Sequence, residues 1–217
     1  MNAVLTMEVL TTTQDPPRFA RPARTVAVVS DDEDAQLMLA YARGEMRAFE
    51  KLYSRHRGAL YRYLMRQSRD GEVANDLFQE VWSRVVLNRS RYEPRAKFRT
   101  FLFTLAHNCF IDHCRRMKSR PAGLGIDDAD AADLLPTDED SLPENALARS
   151  EGTQRYRAAL AELPAEQRDV YLLHEESDLS LEEIARVTGV GVETAKSRLR
   201  YAVNKLKASL SAAADPA

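Results

Sequence analysis

Glycine and cysteine are scarce in this chain, and long apolar runs are missing. Only 8 of the 217 residues are glycine, and no hairpin dipeptide lies between alternating apolar runs, so the sequence predicts an all-α protein. No apolar run approaches the roughly 20 residues of a membrane-spanning helix, and the first residues lack the pattern of a secretory signal. The 2 cysteines, without an export signal, indicate a reducing compartment. We therefore expect a cytoplasmic, helical protein that does not insert into a membrane.

The charged residues are segregated along the chain, although the net charge is only −2. Residues 35–120 hold 18 basic and 8 acidic side chains, whereas residues 121–153 hold 1 basic and 9 acidic ones. A basic domain next to an acidic segment favours a polyanion as the partner of the basic domain. The acidic segment would then either stay away from that polyanion or mimic its negative charge. The same distribution is compatible with a role in solubility alone, and charge does not separate the two interpretations.

Helical periodicity divides the chain into two domains. Residues 34–120 form the first domain, predicted as four helices, and residues 146–210 form the second. Residues 1–33 and 211–217 are predicted as disordered tails, and residues 121–145 as a flexible acidic linker. Three helices of the first domain contain apolar stripes at helical spacing. These stripes are Phe49, Leu52, Tyr53, Leu60, Tyr61 and Leu64, then Ala74, Leu77, Phe78, Val81, Trp82 and Val85, then Phe98, Phe101, Leu102, Leu105 and Cys109.

A helix-turn-helix is predicted in the second domain, over about residues 181–206. Ser180 and Glu183 have the spacing of a capping box at the start of its first helix, and Gly189 lies where the chain must turn. The second helix is polar and basic on one side. In DNA-binding helix-turn-helix domains, a helix of this kind lies in the major groove of DNA. An ordinary helical hairpin with a solvated basic face is the alternative. The buried side of this helix is predicted to comprise Ala195, Leu199, Val203, Leu206 and Leu210.

The segment HNCFIDHC contains two histidines and two cysteines but does not predict a zinc site. Structural zinc needs four convergent ligands, whereas on one helix Cys109 falls in the core stripe and His107 and Cys114 point to the far side. His107 and Cys114 are also roughly 10 Å apart along the helix axis. No glycine-rich phosphate loop, Ser/His/Asp arrangement or supported carboxylate pair is present. We expect no metal, no cofactor and no enzymatic activity.

Three segments resemble bacterial sigma factors of the extracytoplasmic-function (ECF) group. They are ANDLFQEVWSRVV (residues 74–86), FRTFLFTLAHNCFIDHCRR (residues 98–116) and LAELPAEQRDVYLLHEESDLSLEEIARVTGVGVETAKSRLRYAVNKL (residues 160–206). The resemblance covers residues from about 35 to 208, in the family's order and with no third domain between. It implies a region 2-like domain followed by a region 4-like helix-turn-helix domain. It also implies a factor that binds core RNA polymerase, directs it to specific promoters and helps to melt the −10 region.

For the first domain, the resemblance implies two binding surfaces. One face of the third helix would dock on the clamp helices of the polymerase, through Asp76, Gln79, Glu80 and Ser83. These residues recur at helical spacing, so they share one polar face, for which a solvated face is the alternative. The loop that follows and the fourth helix would recognise the −10 element. Tyr92 is the expected base-stacking side chain, because we expect its loop position to expose it. The −10 residues are Asn88, Arg89, Arg91, Tyr92, Arg99, Thr104, His107, Asn108 and Arg115.

For the second domain, the resemblance implies binding to the −35 element. The DNA contacts would come from Thr194, Lys196, Ser197, Arg198 and Arg200. The implied partners are core RNA polymerase, through its clamp helices and flap, promoter DNA in duplex and melted form, and an anti-sigma factor. Two other functions stay open. A stand-alone helix-turn-helix regulator would leave the first domain without a role, and a scaffold or zinc sensor would not contact DNA.

Overall fold

The computed structural model describes residues 32–119 and 143–212, and these residues are all-helical, which confirms the predicted fold class. The predictions for residues 1–31, 120–142 and 213–217 lie outside the described residues. The first domain comprises α1 (Glu33–Ala42), α2 (Met46–Ser68), α3 (Gly71–Leu87), a short 3₁₀ helix (Arg89–Arg91) and α4 (Phe98–Ser119). The second comprises α5 (Pro143–Ala161), α6 (Ala165–Ser177), α7 (Leu181–Thr188) and α8 (Val192–Ala212). Helix α5 begins at Pro143, inside the predicted linker of residues 121–145, so residues 143–145 belong to a helix.

Short acidic side chains fix where the helices of the first domain begin. Asp70 caps α3, and its side chain accepts hydrogen bonds from two amides of the first turn at 2.8 and 3.1 Å. Asp32 caps α1 through the amide of Asp34 at 3.2 Å, and its other oxygen accepts from the amide of Phe98, at the start of α4, at 2.6 Å. Such carboxylates satisfy amides that have no partner within their own helix. Asp32 therefore joins the starts of α1 and α4.

The apolar stripes predicted for α2, α3 and α4 form the core of the first domain. The almost fully buried members are Leu52, Leu60, Leu64, Ala74, Leu77, Val81, Val85, Phe98, Leu102 and Cys109. Trp82 packs beside Phe49 and Tyr53, with ring centroids 5.7 and 5.0 Å apart. Each large apolar side chain that is fully buried contributes roughly 1.5–3 kcal/mol. The sequence prediction of the core is confirmed at these positions.

The helix-turn-helix consists of α7 and α8. The hydroxyl of Ser180 accepts from the amide of Glu183 at 3.3 Å, and the Glu183 carboxylate accepts from the amide of Ser180 at 2.9 Å. Gly189 ends α7 with a φ of +70°, a left-handed conformation that glycine adopts without a Cβ clash. The predicted capping box and turn glycine are confirmed.

The buried side of α8 is shorter than the sequence predicts. Ala195 and Leu206 are buried, and Leu199 and Val203 are half-buried. Leu210 is 36 % exposed, so its assignment to the buried side is wrong. Helical spacing identifies a face but not how far the neighbouring helices extend along it, and here they leave the last turn of α8 partly uncovered.

The two domains pack against each other, which the sequence did not predict. Helix α2 lies on α6, and α4 lies on α6 and α7. Tyr63 of α2 is fully buried in this contact. Its ring lies 5.5 Å from that of Phe103 in α4, and its hydroxyl donates a hydrogen bond to Asp169 of α6 at 2.8 Å. The contact therefore combines an apolar centre with polar side chains from both domains.

Candidate protein and nucleic-acid interfaces

One face of α3 presents polar side chains to solvent. Asp76, Gln79 and Ser83 are exposed. Glu80 is half-buried, because it pairs with Arg84 one turn further on at 2.5 Å and with an arginine of α4 at 3.7 Å. The four residues predicted to bind the polymerase therefore lie on one accessible face. A partner with basic groups would find Asp76, Gln79 and Ser83 accessible. Glu80 would first have to give up its ion pairs with the two arginines.

The structure separates the residues predicted for the −10 element into two groups. Exposed residues lie in the loop after α3 and at the end of α4, and half-buried ones lie along α4. The exposed group is Asn88, Arg89, Arg91 and Arg115, and the half-buried group is Arg99, Thr104, His107 and Asn108. Thr104 donates its hydroxyl hydrogen to the backbone of its own helix at 2.7 Å. Arg99 and His107 instead face the second domain.

Tyr92 is buried, so the expectation that its loop position exposes it is wrong. The side chain is only 9 % exposed, and its ring lies edge-on to those of Phe101 and Phe98, with centroids 5.2 and 6.3 Å apart. Burial, with a smaller contribution from Asp32 and Asp34, raises the pKa of Tyr92. A ring that packs edge-on against other aromatic rings stabilises the fold more than a ring that is exposed to solvent. Tyr92 therefore anchors the loop instead of offering a face to a base.

Asp169 of α6 contacts three polar side chains of the first domain. One of its oxygens accepts from the Tyr63 hydroxyl at 2.8 Å and from the Gln67 amide at 2.6 Å. His107 Nδ1 lies 3.0 Å from the other oxygen, although off the direction of a hydrogen bond. Burial and the negative charge of Asp169 raise the pKa of Tyr63 well above its ordinary value. The tyrosine therefore keeps its proton and stays a donor.

Glu176, also in α6, binds two arginines of α2. Its carboxylate is 2.7 Å from Arg62 Nε and also accepts from Arg66. The Glu176 side chain is 5 % exposed, whereas those of Arg62 and Arg66 are 45 % and 31 % exposed. The carboxylate is thus enclosed by the contact between the domains, and the two arginines remain at its edge.

Two more carboxylates of the second domain meet the start of α4. Arg99 donates to Asp178 at 2.8 Å and to a backbone carbonyl of α6 at 3.0 Å. Glu183 is bound by Lys97 at 3.3 Å and accepts from Thr100 at 3.1 Å. Burial raises the pKa of Glu183, but its hydrogen bonds from the Ser180 amide and from Lys97 outweigh that effect, and the net pKa lies below its ordinary value. Glu183 therefore stays charged while it closes the capping box.

Sequence reasoning missed these contacts, although α6 contains a signal for them. Asp169 and Glu176 lie three or four residues from Leu172 and Leu173, which are fully buried, and so share their face of the helix. Charged residues on a buried face need partners. Their spacing could have indicated a polar contact with another element, but not which one.

The residues predicted for the −35 element lie along α8. Thr194, Lys196 and Arg200 are exposed, and Ser197 and Arg198 are half-buried. Arg198 pairs with Glu166 of α6, and the guanidinium of Arg200 lies 5.3 Å from the ring centroid of the neighbouring Tyr201. These partners all belong to the second domain. The structure brings the five predicted residues together on the second helix of the helix-turn-helix.

Metal-binding clusters and membrane-spanning helices are absent from residues 32–119 and 143–212, the part of the chain that the structure describes. No group of three His, Cys, Asp or Glu side chains there could hold a metal ion, and none of the helices there is long and apolar enough to cross a membrane. Cys109 lies in the core as predicted. Burial raises the pKa of its thiol to about 12, which makes it a poor nucleophile.

Comparison with known proteins assigns the chain to a family. The Sigma-70 region 2 family matches residues 52–120, and the Sigma-70, region 4 family matches residues 153–206. The chain is 31% identical over 166 residues to the RNA polymerase sigma factor CarQ of Myxococcus xanthus, covering 76% of this chain and 90% of CarQ. It is 30% identical over 174 residues to the ECF RNA polymerase sigma factor SigM of Mycobacterium tuberculosis, covering 80% of this chain and 82% of SigM. The chain is an ECF sigma factor.

Two solved structures resemble this ECF sigma factor. CnrH in complex with the cytosolic domain of CnrY has a TM-score of 0.59 at 25% identity, covering 82% of this chain and 97% of that chain. The sigma factor RpoE in complex with the anti-sigma factor NepR, from Bartonella quintana, has a TM-score of 0.60 at 25% identity, covering 75% and 96%. As an ECF sigma factor, the protein acts with RNA polymerase in transcription initiation, which excludes the stand-alone regulator and the scaffold or zinc sensor.

Proposed function

We propose that this sigma factor joins three surfaces at one promoter. The polar face of α3 would hold the polymerase clamp, the loop after α3 with α4 would bind the melted −10 element, and α8 would bind the −35 duplex. The observation that supports the proposal most is the accessible polar face of α3, next to a basic loop on the same domain. We further infer that the chain works in the cytoplasm and has no catalytic activity of its own, since polymerase supplies the chemistry.

The residues of α3 suit a protein partner better than DNA. Asp76 and Glu80 would repel phosphates, although the domain around them has a large excess of basic residues. Carboxylates and the amide of Gln79 form strong, charge-assisted hydrogen bonds with arginine, and complementary charge guides such partners together. We therefore assign this face to arginines of the clamp helices.

The loop after α3 suits the sugar-phosphate backbone of a separated strand. Asn88, Arg89 and Arg91 are exposed there, and each arginine can neutralise a phosphate or stack its guanidinium on an unpaired base. The guanidinium of Arg89 lies 5.8 Å from the ring centroid of Tyr41, which limits its freedom before DNA binds. Because Tyr92 is buried below this loop, we assign base stacking to the arginines and loop support to Tyr92.

For α8 we propose the usual docking of a recognition helix in the major groove. Lys196 and Arg200 are exposed one turn apart on this helix and can reach base edges or phosphates. Arg198 would have to exchange its ion pair with Glu166 for DNA. We therefore expect Lys196 and Arg200 to contribute more to affinity than Arg198.

A protein antagonist is the remaining proposed partner. Two similar proteins were solved as complexes: CnrH with the cytosolic domain of CnrY, and the sigma factor RpoE with the anti-sigma factor NepR. This chain covers 97% of the matched chain in the CnrH structure and 96% of that in the RpoE structure. We infer that a regulator of the same kind binds this protein.

Reconstituted transcription with an α3 variant tests the proposal. The purified chain with core polymerase should start RNA at a promoter that neither uses alone. Asp76→Lys should weaken polymerase binding about tenfold or more, the value of one lost charged hydrogen bond plus repulsion. Glu50→Lys, at an exposed glutamate of α2, makes the same charge change and should bind polymerase normally. Equal binding and transcription by the two variants would contradict our assignment of the clamp surface.

A further inference from the structure

The first turn of α6 binds one of the residues that α8 would present to DNA. The Glu166 carboxylate accepts a hydrogen bond from the guanidinium of Arg198. We propose that Glu166 is a specificity residue: its carboxylate withholds Arg198 from the phosphates of random duplex DNA, and only a duplex that offers Arg198 a base contact draws it away. This inference rests on the proposed function, because it uses the −35 surface assigned to α8.

The ion pair lies at the edge of the face of α8 that would meet DNA. Arg198 follows the exposed Thr194 by about one helical turn, so the two side chains share a flank of the helix. The Arg198 side chain is 24 % exposed, whereas that of Glu166 is 72 % exposed. A DNA strand that reaches Arg198 would therefore also come close to the Glu166 carboxylate, and the two negative charges would repel.

The basic groups of α8 are held on one flank and face solvent on the other. Lys205 lies on the flank of Arg198, and it donates to the backbone carbonyl of Glu162, just after α5, at 2.6 Å. Lys196 and Arg200 lie on the opposite flank, since residues two positions apart on a helix are about 200° apart. Both are exposed. The junction between α5 and α6 therefore takes up the basic groups of the flank that contains Arg198.

The ion pair lowers the positive charge that α8 brings to a phosphate backbone. Each basic residue that neutralises a phosphate releases counterions and adds about 0.9 to the slope of log affinity against log salt concentration. Paired with Glu166, Arg198 has no net charge to offer. A phosphate that replaces the carboxylate leaves Glu166 unpaired beside the DNA. The exchange therefore gains little on random duplex.

A base contact changes this balance. An arginine that binds the O6 and N7 atoms of guanine forms two hydrogen bonds in a fixed geometry, whereas an ion pair with one exposed partner contributes little. The guanine contact is thus strong enough to draw Arg198 away from Glu166. An interaction that penalises the wrong partner raises specificity without adding affinity for the right one. Glu166 therefore acts against random DNA more than against a preferred duplex.

A matched pair of variants on α6 tests the proposal in the full chain. The probe is a fluorescein-labelled, random-sequence duplex of about 20 bp, or two helical turns, and its binding is read by anisotropy over a range of salt concentrations. Glu166→Gln should bind about threefold to tenfold more tightly than the natural chain, with a salt slope steeper by about 0.9, because Arg198 gains a phosphate contact.

Glu175→Gln is the matched control. It removes the same charge from α6, but its side chain points to the opposite side of that helix and pairs with His174. This variant should bind the random duplex like the natural chain, with an unchanged salt slope. Circular dichroism should show equal helix content in both variants, so that a difference in binding does not come from unfolding.

Two further comparisons test the route through Arg198 and the dependence on sequence. In the Arg198→Ala chain, Glu166→Gln and Glu175→Gln should have equal effects on binding, because no arginine is left to release. The second comparison uses duplex that the natural chain enriches from a random pool. On that duplex Glu166→Gln should gain less affinity than on the random one.

Three results would overturn the proposal. If Glu166→Gln and Glu175→Gln bind random duplex equally, Glu166 does not withhold Arg198. If Glu166→Gln gains as much in the Arg198→Ala chain, the gain comes from charge alone, and if it gains as much on the enriched duplex, the ion pair does not set specificity. Lys196→Ala identifies a failure of the proposed function itself, since an unchanged affinity for duplex in that variant would show that α8 is not the DNA surface.

Discussion

Replacing Asp32 with Ala should destabilise the first domain far more than its position next to the predicted tail suggests. Its carboxylate accepts from the amide of Asp34 at 3.2 Å and from the amide of Phe98 at 2.6 Å. Loss of an N-cap costs about 1 kcal/mol, and loss of a charged hydrogen bond to a partly buried amide costs about 1.5–3 kcal/mol. We therefore expect a loss of about 2.5–4 kcal/mol in the free energy of unfolding.

The assay is urea unfolding followed by circular dichroism, together with hydrogen exchange at the Phe98 amide. Glu33→Ala is the matched control, since Glu33 is the neighbouring acidic residue and its side chain is 73 % exposed in its pair with Arg55. Such an exposed pair contributes less than about 1 kcal/mol. Asp32→Asn should retain the cap of α1, because Asn caps helices as well as Asp does, but its amide nitrogen cannot accept from the Phe98 amide, so about 1.5–3 kcal/mol should still be lost. Equal urea midpoints for Asp32→Ala and Glu33→Ala, or normal protection of the Phe98 amide, would refute the reasoning.

Three further predictions concern single side chains. Tyr92→Phe should be as stable as the natural chain or about 1 kcal/mol more stable, because the buried hydroxyl has no hydrogen-bond partner among the described residues. Tyr92→Ala, which removes the ring, should lose about 3–5 kcal/mol of the free energy of unfolding, measured in urea. Burial, partly offset by Asp34, lowers the pKa of His56 below 6.5 in the folded protein. The unfolded chain therefore takes up the proton first, so the urea midpoint should fall as pH drops below about 6.5, and His56→Gln should reduce that pH dependence. Ser180→Ala should cost about 0.5–2 kcal/mol and weaken binding to −35 duplex, measured by anisotropy, whereas Ser180→Asp should keep the cap to Glu183.

Local patterns in the sequence were enough to predict the helices and much of the core. Leu60 and Leu64 repeat at helical spacing, and both are fully buried. The capping box at Ser180 and the turn at Gly189 depend on residues that are close in the chain, so their chemistry is visible in the sequence. For the same reason, the accessible polar face of α3 could be predicted from spacing alone.

The interdomain contact could not be predicted, because its partners are distant in the chain and most of them are polar. Tyr63 and Asp169 are 106 residues apart, and no local rule pairs them. Tyr92 was misjudged for a related reason, since the aromatic rings that cover it belong to the next helix and not to its own loop. A charged side chain or a position in a loop predicts exposure only where no other element packs against that residue.

The orientation of the helix-turn-helix has a consequence for what the free protein can bind in a crowded cell. Helix α7 lies against the first domain, whereas Thr194, Lys196 and Arg200 of α8, which we propose to contact DNA, are exposed. Transcripts and single-stranded DNA offer the same phosphates as a melted promoter strand. The exposed loop after α3, with Asn88, Arg89 and Arg91, is open to these competitors, whereas Arg99 and His107 on α4 are half-buried against the second domain. The contact therefore leaves only part of the proposed −10 surface open to RNA before the sigma factor reaches the polymerase.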